Sequence, residues 1–101
     1  MIIREWRGRA SLAQAETYPV HFRTKVVPEL VNLPGFVGAH LSRRLLGDRI
    51  EFLVLTRWKS VDAIRDFAGS EIDKAVVEPG AVAALIDFDS RVQHYEVIEP
   101  A

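Results

Sequence analysis

Hydrophobic and polar positions along the chain change period in a definite order, and the sharpest change falls between Ile50 and Ala68 (IEFLVLTRWKSVDAIRDFA). A near-continuous apolar, β-branched run there gives way to helical spacing within a few residues. Phe52, Val54, Thr56 and Trp58 project to one face of the expected strand and Leu53 and Leu55 to the other, so both faces call for cover. Ser60 as N-cap, Asp62 in the first turn and a stripe of Val61, Ile64, Phe67 and Ala68 predict a helix that Gly69 ends.

Read from its start, the chain opens with a strand over Ile2 to Arg9, in which Ile3, Glu5 and Arg7 alternate with Ile2, Arg4, Trp6 and Gly8. Ser11 and Gln14 fit a capping box for a first helix, whose apolar positions are Leu12, Ala15, Phe22, Val26 and Leu30. Pro19 interrupts the pattern and predicts a kink or a broken first turn near Tyr18, displacing Tyr18 and His21 together. Pro28 and then Leu33-Pro34-Gly35 stop the helix. A second strand, Phe36 to Leu46, sets Phe36, Gly38, His40 and Ser42 against Val37, Ala39, Leu41 and Arg43, and Gly47-Asp48 makes a hairpin into Ile50. Glu71 to Val77 is read as a loop with a possible turn of helix, broken by Pro79-Gly80, and Ala81 to Ile86 is too short to classify by period. Ser90 to Ile98 is a last strand.

The order strand, helix, strand, strand, helix, strand predicts an α+β fold, a ferredoxin-like βαββαβ unit with a four-stranded antiparallel sheet and both helices on one face. The other face is left bare. Because the third strand is apolar on both sides, the simplest cover is the same face of a second copy, so a homodimer is expected.

At 101 residues the chain makes a single domain, 1–101, of ordinary globular composition. A net charge of −1 gives no electrostatic case for nucleic acid or an anionic membrane as partner. The chain has no cysteine, which removes thiol nucleophiles, thiolate metal sites and disulfides and is compatible with a reducing compartment. Charges at Arg4 and Glu5 interrupt any signal-peptide core, and no apolar run is long enough to span a bilayer, so a cytoplasmic location is expected.

Across residues 2–98 the chain resembles the antibiotic biosynthesis monooxygenase family of dimeric α/β-barrel proteins. The likeness is carried by Ile3-Arg4-Glu5-Trp6-Arg7-Gly8, the Leu33-Pro34-Gly35-Phe36 turn, Phe52 to Trp58, the helix Ser60 to Gly69, and Val92 to Val97. Members include cofactor-free oxygenases of phenolic polyketides, quinol monooxygenases and haem-degrading enzymes. For the first two, the resemblance implies a pocket between sheet and helices, walled by aromatics, with Trp58 carried over and Val54 where an amide could stand. For haem degradation it implies an asparagine on the first strand, a tryptophan ending the third and a histidine after the second helix. Trp58 matches, while Trp6 stands on the first strand and Val77 at or beside the histidine position.

Cofactor-independent oxidation of a phenol or quinol with O₂ needs a base working near neutral pH and donors for developing negative oxygen. His40, beside Gly38 and Ala39, is one candidate base, or else a neutral histidine bonded within the sheet or dimer core. His21, with Tyr18 near the Pro19 kink, is the other, or else a solvated helix residue. His94 is most simply an interface residue. Trp58 and Trp6 are candidate aromatic contacts for a small aromatic substrate, and Arg57 and Arg4 candidate anchors for an anionic oxygen. No second ligand lies at metal spacing from any histidine and no G-x-G-x-x-G pattern occurs, so neither a metal nor a dinucleotide cofactor is implied. The alternative is a non-catalytic ligand-binding or accessory domain of the same fold.

Overall fold

The computed structural model describes residues 1–101. Three long strands, β1 (Ile2–Ser11), β2 (Phe36–Leu46) and β3 (Arg49–Trp58), form an antiparallel sheet with β3 in the middle, and β4 (Asp87–Phe88) and β5 (Gln93–Glu96) share the far edge of β1. Gly47 at φ 63° makes the two-residue turn between β2 and β3, as its lack of a Cβ allows. The sheet thus has five strands where four were expected, because the predicted last strand is divided. Its middle leaves β1: the amide of Ala75 bonds the Ser90 carbonyl at 3.0 Å and the amide of Val92 bonds the Asp73 carbonyl at 2.8 Å.

All helices cover one face. Strand β1 runs on to Ser11, whose side chain caps nothing, and Leu12–Gln14 is a 3₁₀ turn, so the expected capping box does not form. Helix α1 (Thr17–His21) begins afresh with Pro19 in its first turn, where the missing N–H removes no helical bond. It continues through a π-helical turn (Phe22–Val26) into α2 (Val27–Leu30). Pro28 lies in the first turn of α2 and does not stop the helix. The wider π turn before it relieves the clash a proline ring makes with the carbonyl four residues back. The stop comes at Leu33-Pro34-Gly35, where Gly35 has φ 83° and a Cβ would lie 2.5 Å from that of Ala63.

Helix α3 (Val61–Ala68) has the predicted ends, with the Ser60 hydroxyl accepting from the Ala63 amide at 3.2 Å and Gly69 at φ 87°. Its buried contacts are Ala63 and Ile64, whereas Val61 at the helix start faces solvent, a correction to the predicted stripe. Pro79-Gly80 opens a helix instead of breaking one. In α4 (Pro79–Ala84) the proline's fixed φ and absent N–H suit a helix start. Residues 71–77 form turns and a bridge between Lys74 and Arg91, with no helix.

The helix-facing positions of β1 and β3 hold the core. Ala10, Ile50, Phe52 and Val54 pack with Tyr18, Phe22, Ala81 and Ala84, and Trp58 packs with Leu30, Ala63 and Ile64. The opposite face carries Leu53 and Leu55, half-buried, among charges. There Glu51 bonds Arg44 at 2.9 Å and Arg9 at 3.4 Å, and Arg9 also pairs with Asp87 and Asp89. No helix is long and apolar enough to cross a membrane.

Candidate functional site

Between the helix-facing side of β1 and β3 and the arm formed by α1, α2 and α4 lies a cavity of about 110 Å³, largely apolar in its lining. Strand alternation supplies its sheet side: Arg4 opposite Thr56, and Trp6 opposite Val54, on β1 and β3. Tyr18 and His21, three residues apart on α1, supply the helix side. The rings of Trp6 and Tyr18 are 6.0 Å apart and tilted by 46°, and those of Tyr18 and His21 5.9 Å apart. The Trp6 indole N–H is fixed by the Asp89 carbonyl at 2.7 Å, which leaves its ring face to the cavity.

His21 is the imidazole of this lining. Its Nε2 is buried and has no hydrogen-bond partner, a costly condition for a polar atom unless a ligand meets it. Gly80 holds the ring in place by close approach, since a Cβ there would lie 2.8 Å from His21 Nδ1. Tyr18 is 3% exposed, and its hydroxyl makes no hydrogen bond within the chain. Burial, reinforced by the Glu78 carboxylate, pushes its ionisation above the usual phenol range, so it remains a neutral donor. Glu78 and Glu29 also line the cavity and share a hydrogen bond, which raises the Glu78 ionisation above the ordinary carboxylate range.

Arg4 provides the positive charge. Only 6% exposed, it donates from Nη1 to the Ile72 carbonyl at 2.5 Å, shares Nη1 with His94 Nε2 at 3.0 Å, and donates from Nη2 to the Lys74 carbonyl at 3.0 Å. Burial pulls its ionisation down to about 10, opposed by the charge of Asp73, so it stays cationic at neutral pH. His94 Nδ1 in turn meets Asp73 at 3.2 Å. Burial and the Arg4 charge lower the His94 ionisation and keep the ring neutral. His94 is therefore a support for Arg4.

The cavity brings together Trp6, Tyr18 and His21 of the residues singled out from the sequence, and separates the other three. Trp58 is fully buried, between the edge-on ring of Phe36 and the stacked ring of Phe67, each at 5.4 Å, and donates to the Thr56 hydroxyl at 2.8 Å. It is a core residue and no cavity wall. His40 faces Leu55 across the ladder, which puts it on the opposite side of the sheet, where its Nδ1 meets Arg57 Nη1 at 3.0 Å. Gly38 leaves the room that Arg57 fills, as a Cβ there would lie 2.3 Å from Nη2. Neither His40 nor Arg57 reaches the cavity, because side chains alternate strictly between sheet faces. The sequence reading passed over Glu29 and Glu78. For Glu78 the signal was its place before Pro79, the cap position of a helix that opens on proline.

The fold and part of the sequence are shared with known proteins. The family model for antibiotic biosynthesis monooxygenase matches residues 1–79. A Bacillus cereus protein described as a candidate antibiotic biosynthesis monooxygenase superposes with a TM-score of 0.70 at 17% identity, over 100% of this chain and 96% of its own. SnoaB, a cofactor-independent oxygenase from Streptomyces nogalater, superposes as a point mutant with a TM-score of 0.65 at 23% identity, over 98% of this chain and 94% of its own. The heme-degrader MhuD from Mycobacterium tuberculosis gives 0.63 at 19% identity, over 100% of this chain and 99% of its own. No curated protein sequence matches. The residues here do not fit a haem. A cavity of about 110 Å³ is far below macrocycle size, and the segment after α3 turns Val76 and Val77, not an imidazole, toward it. With its family model spanning most of the sequence and its fold shared along the whole length, the chain belongs to the antibiotic biosynthesis monooxygenase family.

Proposed function

We propose that this chain is the subunit of a cytoplasmic homodimer that oxidises a small phenol or quinol with O₂, without a cofactor, in the cavity bounded by Trp6, Tyr18 and His21. The observation that carries the reading is the buried, unpartnered His21 Nε2 set beside an unpartnered phenol hydroxyl in an otherwise apolar space. An imidazole nitrogen so placed takes the substrate hydroxyl proton, and the resulting phenolate is electron-rich enough to reduce O₂ directly. One oxygen atom ends on the ring carbon and the other leaves as water, the substrate supplying the electrons. The Arg4 charge and the Tyr18 hydroxyl stabilise the developing negative oxygen, in a site too dry for water to compete. The cavity volume favours a single substituted ring over a fused polycycle.

Oxygen uptake with a panel of hydroquinones and anthrones tests the reading. His21→Ala should lower turnover by roughly 10²- to 10⁴-fold, whereas His40→Ala, on the other sheet face, should leave it unchanged. An unaltered rate in His21→Ala removes that residue from the mechanism. No uptake and no ligand-dependent rise in melting temperature in the unmodified protein would favour the alternative, a non-catalytic dimeric domain of the same fold.

A further inference from the structure

The Arg4 guanidinium is buried against neutral groups alone: two backbone carbonyls and the imidazole of His94. The carboxylate whose field reaches it, Asp73, is engaged on the far nitrogen of that imidazole. These contacts leave Nε–H and one Nη2–H without a partner, and the two are neighbouring donors that both oxygens of one carboxylate can accept together. A desolvated cation with a free edge on an apolar cavity is a receptor for an anion. The rest of the lining is acidic or neutral. Tyr18 packs over Phe52 at 5.3 Å, four strand positions from the Thr56 that faces Arg4, and Glu78 lies with Tyr18 and Glu29. A second anionic group is disfavoured beside those carboxyls, while a neutral hydroxyl can bond His21 Nε2 or the Tyr18 hydroxyl.

We propose that the ligand of this cavity is a hydroxyaryl carboxylate, held by its carboxylate on the Nε and Nη2 edge of Arg4 and by its hydroxyl at His21. This rests on the cavity being the ligand site and narrows the substrate class from phenols in general to phenolic acids. Trp6 and Val54 then lie beside the ring between the two polar ends.

Isothermal titration of the full chain with para-hydroxybenzoate, its methyl ester and its amide tests the proposal. The acid should bind at least tenfold more tightly than the ester, and Arg4→Gln should weaken the acid by roughly 10- to 100-fold without weakening the ester. Arg4→Lys should recover only part, since an ammonium cannot present two adjacent donors. Should Arg4→Gln not fold, the Nε–H signal of Arg4 in the unmodified protein is the second readout, shifting with the acid and not with the ester. Equal affinity for acid and ester, or an unmoved Nε–H signal, overturns the proposal. Binding of the acid without oxygen uptake supports it and overturns the oxygenase reading. Uptake with neutral quinols and no preference for acids does the reverse.

Discussion

Trp58 separates what a residue's position in sequence can say from what its neighbours decide. At the junction of a strand and a helix it had equal claim to a cavity wall and to the core. Phe36, Phe67 and the Thr56 hydroxyl, brought from three parts of the chain, close it off completely. Trp58→Ala should therefore cost about 3–5 kcal/mol in denaturant unfolding while the affinity of the folded protein for para-hydroxybenzoate stays as it was. A drop in affinity at unchanged stability would return Trp58 to the site. His21 was legible for the opposite reason, since Pro19 marks a helix start and carries Tyr18 and His21 along with it. His40 was not, because alternation assigns residues to two faces without saying which one the helices cover. Arg4 shares its face with Trp6, and that was visible; its burial among the carbonyls of residues 72 and 74 was not, since those belong to a loop without periodicity.

At the level of elements, strong periods and caps read correctly: β1, β2, β3 and the Ser60-to-Gly69 limits of α3 all stand where pattern placed them. What was lost lies after residue 70, where α4 is a single short apolar run and the last strand is bent away by bonds to 73–75 that local sequence does not encode. The short β4 that results is tied to β1 by charge. Arg9, raised in its own ionisation by bonds to Asp87 and Asp89, holds the Asp87 carboxyl below its ordinary range. A depressed carboxyl favours the folded state at pH above its ordinary value of about 4, and that contribution is lost as pH falls through the lowered one. Unfolding midpoints should accordingly decline below about pH 4, and Arg9→Gln should flatten the decline; an equal slope in both proteins would show that the network carries none of it. Glu78 runs the other way. Its shared proton with Glu29 joins α2 to the start of α4 at low pH, and the link weakens as pH rises through its raised ionisation.

For the molecule as a whole, the helices protect one side of the sheet and leave Leu53 and Leu55 on the other, ringed by Glu5, Arg7, Arg9 and Glu51. The ring is more polar than the strand's apolar run implied, and an interface there would combine a small apolar centre with a charged rim. Light scattering at micromolar concentration should give twice the monomer mass, and Leu55→Glu should halve it without unfolding the chain; a monomer in the unmodified protein would end the homodimer reading. The π-helical turn at Phe22–Val26 has a different kind of consequence. A π turn takes up one residue more than regular winding, so the number of residues in this arm sets the azimuth of everything after it. Removing one residue between 22 and 26 would rotate α2 by about 100° and swing Glu29 and Leu30 off the cavity. Across descendants of this chain, the length of the arm should be held more tightly than its composition, and an indel there would re-aim the site where a substitution would only repaint it.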